Sequence, residues 1–154
     1  MKHGVIVADG GSCRIFETDE TMEHWALSQA LQNEGAHKRA AELVSGARGA
    51  TRSAPGGVLS AFDRHTDPHD TERHKFARQV AERMSAAVLA GEWERAVLVA
   101  PPKFLGEVRA ALPERVLRQV VASISHDLTG TPEHELPAAV RKHMPPTAGL
   151  ELGR

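Results

Sequence analysis

The stretch that decides the fold is Ala96-Val97-Leu98-Val99-Ala100-Pro101-Pro102-Lys103-Phe104-Leu105-Gly106. Its first five residues are all apolar, which is typical of a strand buried on both faces of a sheet. The two prolines that follow end the strand and suit the first turn of a helix. Apolar residues at helical spacing predict the buried face of that helix: Phe104, Leu105, Val108, Ala111 and Leu112. The stretch therefore predicts a strand-to-helix unit of an α/β sheet, and Pro113 would end its helix.

The residues before this unit predict a long amphipathic helix. Asp67 can cap its start, and Pro68 suits its first position. Asp70 and Glu72 favour the positive end of the helix dipole. Gly91 would end the helix. Its buried stripe would consist of Phe76, Val80, Met84 and Val88, broadened by Ala77 and Ala81.

The first 32 residues predict three short strands in succession. Two of them, residues 5–9 and 13–17, flank a Gly-Gly pair, which is the pattern of a β-hairpin. The third, residues 22–32, alternates loosely and would be half-buried. Its apolar side chains, expected on one side, are Trp25, Leu27 and Leu31. Cys13 is expected to be a small buried hydrophobe within the second strand.

The C-terminal third predicts a long strand over residues 116–125 and a last helix that starts at Pro132 or Pro137 and ends near Met144. Helices between the later strands imply parallel pairing there, while the hairpins imply antiparallel pairing before. The fold expected is a single α/β domain over residues 1–144, with a mixed sheet of about five strands flanked by helices. Residues 145–154 would be a frayed tail.

Composition excludes several functional classes. The 154 residues carry 19 basic and 20 acidic side chains, so a nucleic-acid-binding role requires a local basic patch. The single cysteine excludes an intramolecular disulfide. Apolar runs are far shorter than the ~20 residues of a membrane helix, and residues 5–8 are too few for the core of a signal peptide. A cytoplasmic location without a membrane partner is therefore expected.

One segment stands apart by composition. Residues 45–60 hold four glycines, three alanines and two arginines, Arg48 and Arg52, but no acid. A long loop of this kind inside a compact domain is usually functional or disordered. The preceding residues 36–44, a possible short helix, add Lys38 and Arg39 with only one acid. These four cations predict contact with a phosphate-rich partner. The Gly56-Gly57 pair gives the backbone of the segment a wide range of φ and ψ angles.

Other residues could form a metal or anion site, but each also has a simpler structural explanation. His65, Asp67 and His69 are possible metal ligands, although the start of a helix explains this cluster better. Asp9 and Asp127 follow the first and last strands and could pair to hold magnesium, as in nucleases of the ribonuclease H type, whereas Asp9 alone suits a turn. Lys103 follows a buried strand, where α/β proteins often bind anions. No catalytic residue and no cofactor are predicted.

Several motifs together resemble the bacterial host attachment family, the proteins required for attachment to host cells. The motifs are Val5-Ile6-Val7-Ala8-Asp9, Arg14-Ile15-Phe16-Glu17, His65-Thr66-Asp67-Pro68-His69, Phe76-Ala77, residues 97–106 and Asp127-Leu128-Thr129. That family in turn resembles the middle domain of archaeal and eukaryotic class-1 peptide-chain release factors. The resemblance implies a ribonuclease H-like fold. It also sets Gly56-Gly57-Val58 against the release factors' Gly-Gly-Gln, so the glutamine that serves peptide release is replaced by valine.

Three functions remain open at this stage. The first is a non-catalytic module that binds ribosomes or structured RNA through its basic Gly-rich segment. The second is an indirect factor for attachment to host cells, as the resemblance implies. The third is a metal- or acid-dependent hydrolase that uses His65, Asp67 and His69. The first is the function we expect.

Overall fold

The computed structural model describes residues 2–35 and 68–145, and in them the chain forms one five-stranded sheet with helices on both faces. The strands are β1 (His3–Ala8), β2 (Ser12–Thr18), β3 (Trp25–Gln32), β4 (Arg95–Ala100) and β5 (Val120–Ser125). The helices are α1 (Pro68–Leu89), α2 (Pro102–Ala111), α3 (Glu114–Leu117) and α4 (Leu136–His143), with a 3-10 turn at Glu133–Glu135 before α4. The predicted fold class is confirmed.

The strand order in the sheet is β3-β2-β1-β4-β5. The strands β1, β2 and β3 pair antiparallel, while β1 pairs parallel with β4, and β4 with β5. The apolar run that decides the fold forms β4, which is paired on both sides, and Val97 to Val99 are fully buried. Because β1, β4 and β5 are parallel, their carboxyl ends meet at one edge of the sheet, which we call the carboxyl edge.

The two faces of the sheet are buried by different helices. On the first face, α1 and α2 pack side by side, with the rings of Phe76 and Phe104 5.9 Å apart, and Val116 of α3 joins the same core. On the second face, Leu136 and Val140 of α4 cover the centre of the sheet. The long helix has the predicted buried stripe, although Val88 is only partly buried.

Glycine ends the long helix as predicted. Gly91 has a φ of +78°, its N–H donates to the carbonyl of Val88 at 3.1 Å, and the N–H of Glu92 donates to that of Ala87 at 2.9 Å. This is the Schellman arrangement, in which a residue in the left-handed region lets the last carbonyls find donors. The predicted cap, Asp67, lies outside the described residues, but the helix does begin at Pro68.

Strand β3 departs from its prediction in a way that bears on function. Its three apolar residues do not share a side, because the pairing with β2 shifts between Ile15 and Phe16. Ser28 is the extra residue of this bulge, and one extra residue moves the following side chains to the other face. Trp25 therefore packs on the second face and Leu31 on the first, while Leu27 is 46% exposed.

Two further predictions are wrong in detail. The last strand begins at Val120 rather than at residue 116, because Pro113 starts a short helix, α3, whose Val116 fills the first core. Ala111 is exposed rather than buried on α2. Cys13 is buried as expected, and burial, reinforced by the charge of Asp9, raises the pKa of its thiol to about 12. A thiol held neutral in this way is chemically inert.

The predicted short helix over residues 36–44, the Gly-rich segment 45–60 and most of the predicted tail lie outside the described residues. Within the part of the chain that is described, no helix is long and apolar enough to cross a membrane.

Candidate binding site at the carboxyl edge

Asp9 begins the polar site at the carboxyl edge, directly after β1. Its Oδ1 accepts hydrogen bonds from the backbone N–H groups of Gly11 and Ser12, both at 2.8 Å. The N–H of Asp9 donates in turn to the carbonyl of Ser12 at 2.9 Å. The carboxylate thereby closes the hairpin turn between β1 and β2, which is the structural role that its position before two glycines indicates.

The second oxygen of Asp9 reaches across the edge of the sheet to the segment after β5. The hydroxyl of Thr129 lies 2.9 Å from Asp9 Oδ2 and 2.5 Å from Asp127 Oδ1. The N–H of Thr129 also donates to Asp127 Oδ1 at 3.0 Å. One hydroxyl carries one proton, so Thr129 donates to one carboxylate at a time. The two acids that the sequence pairs are thus brought together, with a threonine between them.

Arg14 fixes the segment after β5 from the other side. Its Nη2 donates to three backbone carbonyls, those of Leu128 at 3.3 Å and of Thr129 and Thr131 at 2.9 Å each. The guanidinium also lies 5.8 Å from the centre of the Phe16 ring. A charged donor shared by three carbonyls holds this irregular segment in place, so Arg14 sets the position of Thr129.

A second polar cluster joins the first two turns of α1 to the first two turns of α2 at the same edge. Arg73 donates from Nε to Glu107 Oε1 at 2.7 Å and from Nη2 to Asp70 Oδ1 at 2.6 Å. Burial disfavours the charged guanidinium, but the bonds to both carboxylates raise the pKa of Arg73 above its usual value. The hydrogen bond from Arg73 also lowers the pKa of Asp70.

Glu107 is the least exposed carboxylate of this cluster. Only 10% of its side chain is exposed, and its Oε2 has no hydrogen-bond partner among the described residues. Nδ1 of His74 lies 3.3 Å from that oxygen, close enough for an ion pair when the imidazole is protonated. Arg73 therefore neutralises a buried acid, which is the usual condition for burying one.

The predicted site residues fall into two groups. Lys103 lies in the first turn of α2 with its side chain 71% exposed, and its Nζ is 3.7 Å from Asp70 Oδ1. His69 lies in α1, without a described side chain. The others lie outside the described residues, namely Lys38, Arg39, Arg48, Arg52, Gly56, Gly57, His65 and Asp67. Among the side chains that are described, no three of His, Cys, Asp or Glu are grouped as metal ligands.

The structure does locate both ends of the undescribed stretch 36–67. Asn33, just after β3, donates from Nδ2 to the carbonyls of Gly10 at 2.9 Å and of Glu72 at 3.2 Å. A Cβ added to Gly35 would lie 1.9 Å from the carboxylate of Glu72, so the chain there passes directly against α1. The described residues on either side of this stretch, Gly35 and the start of α1, therefore both lie at the carboxyl edge.

Chemically, the described part of this edge is a set of carboxylates that already serve as acceptors. Asp9 stabilises a turn, Asp127 positions Thr129, and Glu107 balances Arg73. Sequence reasoning found Asp9, Asp127 and Lys103 but missed Arg14 and the Arg73–Glu107 pair. No local motif predicts these contacts, because the carbonyls bound by Arg14 and the carboxylate of Glu107 lie 34 or more positions away along the chain. Only Asp70, three positions from Arg73, is close in sequence.

The five-stranded mixed sheet with helices on both faces makes this chain an α/β protein. A family model described as "Protein required for attachment to host cells" matches residues 4–140. The chain belongs to that family, as its motifs predict. A search of curated proteins finds no match.

Two solved structures are similar in chain trace. One is an archaeal translation termination factor, with a TM-score of 0.48 and 10% identity over 92% of this chain and 38% of that one. The other is the type II variant of the Aquifex aeolicus Ppx/GppA phosphatase, with a TM-score of 0.38 and 14% identity over 80% of this chain and 35% of that one. This chain thus spans little more than a third of either protein. At these scores neither similarity bears on function.

Proposed function

We propose that this member of the host attachment family is a non-catalytic binding module that contacts RNA, alone or in the ribosome, through its basic Gly-rich segment. The observation that carries the proposal is where that segment joins the fold. Asn33 links the turn after β1 to the start of α1, so the described residues that flank 36–67 in the sequence lie at the carboxyl edge.

Charge makes this stretch suited to an anionic partner. Residues 36–60 contain Lys38, Arg39, Arg48 and Arg52 against a single acid. Lys103 adds an exposed ammonium group at the same edge. Cations on a glycine-rich segment supply the phosphate-binding free energy of RNA recognition without requiring a globally basic protein.

The carboxylates at this edge support binding rather than hydrolysis. A metal-dependent or acid-dependent hydrolase needs carboxylates that are free to hold a metal ion or to activate a water molecule. Asp9 Oδ1 instead accepts hydrogen bonds from two backbone N–H groups and Asp127 Oδ1 from one, and the Thr129 hydroxyl donates to one of these two carboxylates. The role in attachment to host cells would then be indirect, exerted in the cytoplasm through RNA or ribosome binding.

The experiment is a double charge reversal of the segment, Arg48→Glu with Arg52→Glu. We expect association with ribosomes, and with a structured RNA hairpin, to be lost at moderate salt. The slope of log K against log salt should fall in magnitude by about 2, because two phosphate contacts are removed. The melting temperature should stay nearly unchanged.

The matched control is Arg78→Glu with Arg115→Glu, which changes the net charge equally at exposed positions on α1 and α3. This variant should retain RNA association. Equal loss in both variants, or survival of association in the first, would contradict the proposed segment. Release of peptide from peptidyl-tRNA by the purified protein would contradict its non-catalytic part. Recovery of the protein outside the cell would contradict the proposed location.

A further inference from the structure

A groove on the second face of the sheet lies away from the carboxyl edge. The helix α4 covers only the centre of this face, and a space of about 570 Å³ remains between the start of β3 and the first turn of α4. It is lined by Glu23, His24, Trp25, Glu133, His134 and Pro137, and we call it the β3–α4 groove. Trp25 pairs with Thr18, and Thr18 pairs with His3, so the groove lies at the amino end of β1.

The apolar part of this groove is rigid. The indole of Trp25 donates from Nε1 to the carbonyl of Met22 at 2.8 Å, and its ring lies 5.4 Å from that of Phe16. Met22 is itself buried, and its N–H donates to the carbonyl of Asp19 at 3.1 Å. Because the Trp25 side chain is already held in one position, it loses little conformational entropy when a ligand binds. Leu27, 46% exposed, extends the same apolar surface along β3.

The rim of the groove is acidic. In the described part of the chain, its lining residues include two carboxylates, Glu23 and Glu133, but no lysine or arginine. Neither carboxylate forms an ion pair with a basic side chain among residues 2–35 and 68–145. The two histidines of the rim each lie 3.8 Å from a further carboxylate, that of Asp19 or Glu135.

An indole in a groove that is also lined by two carboxylates complements one kind of side chain best. A guanidinium stacks on the face of tryptophan and donates hydrogen bonds from its edge to a carboxylate, while its aliphatic stem packs on apolar surface. RNA is disfavoured here because its phosphates would face Glu23 and Glu133. We propose that the β3–α4 groove binds a partner protein through an arginine flanked by aliphatic residues. This site is independent of the RNA-binding segment.

The test follows the two indole N–H resonances of the ¹⁵N-labelled full chain during titration with an acetylated, amidated Leu-Arg-Leu peptide. Trp93 is the internal reference, because it is only 4% exposed and donates to Glu17 at 2.9 Å. We expect a saturable shift of the Trp25 signal, no shift of the Trp93 signal, and no response to Leu-Glu-Leu. The spectra themselves report whether each variant is folded.

Paired variants show whether the two rim carboxylates contribute to the affinity for the peptide. Replacing both rim acids, Glu23→Gln with Glu133→Gln, should weaken peptide binding about tenfold, since two exposed ion pairs are lost. The control, Glu82→Gln with Glu114→Gln, removes two exposed acids elsewhere and should leave the affinity unchanged. A Trp25 signal that does not move at millimolar peptide, that moves equally with Leu-Glu-Leu, or that responds unchanged in the rim variant would overturn the proposal.

Discussion

Replacing Asp9 by alanine removes the acceptor on which the carboxyl edge depends. Two backbone N–H groups at 2.8 Å would lose their acceptor, and the Thr129 hydroxyl, 2.9 Å from Asp9 Oδ2, would be left with Asp127 alone. Hydrogen bonds to a charged group contribute about 1.5–3 kcal/mol each, but these three share one partly solvated carboxylate. We therefore expect Asp9→Ala to lower the free energy of unfolding by about 3 kcal/mol, well short of the sum of three independent bonds.

Chemical denaturation of the wild-type and variant proteins measures this loss directly. In a chain of this length it should correspond to a fall in melting temperature of about 6–12 °C. Asp9→Asn keeps the Oδ1 acceptor and should cost only about 1 kcal/mol. A folded Asp9→Asn protein should also retain RNA association. A cost below about 1 kcal/mol for Asp9→Ala, or an equal cost for both variants, would refute the structural role assigned to this carboxylate.

Three further predictions concern the core and its titration. Gly4→Ala would place a Cβ 2.4 Å from the Trp93 ring and should cost about 2 kcal/mol of unfolding free energy, whereas Gly106→Ala, in open space on α2, should stabilise by about 0.5–1 kcal/mol. A reversed order of the two melting temperatures would contradict the packing. Burial lowers the pKa of His3, so the unfolded chain binds its proton more readily, and stability should fall as the pH drops below about 6.5, by at most about 1.4 kcal/mol per pH unit. His3→Gln should flatten this slope in urea titrations at pH 5 to 7, while His24→Gln, at an exposed position, should leave it in place.

Elements with a strong local signal were predictable from the sequence. The continuous apolar run of β4, the proline that starts α1 and the glycine that ends it each act on their immediate neighbours. The role of Asp9 in the turn after β1 was equally predictable, because a carboxylate before two glycines favours a turn in any surroundings. The motifs shared with the host attachment family also lie in or next to these regular elements.

What the sequence could not show depends on distant partners. The bulge at Ser28 is set by the register of β3 against β2, so alternation along β3 alone placed Leu31 on the same side as Trp25 and Leu27. Arg14 and Arg73 look like ordinary exposed arginines until the fold brings carbonyls and carboxylates to them. The β3–α4 groove is lined by residues more than 100 positions apart in the sequence, so no local pattern predicts it.

Ultraviolet crosslinking of the protein to RNA in living cells tests directly whether the basic Gly-rich segment binds RNA. The crosslinked peptides are then mapped by mass spectrometry. We expect crosslinks within residues 36–67 that disappear in the Arg48→Glu, Arg52→Glu variant and persist in the Arg78→Glu, Arg115→Glu control. Crosslinks confined to other parts of the chain, or a yield no higher for the wild-type protein than for the charge-reversed variant, would contradict it.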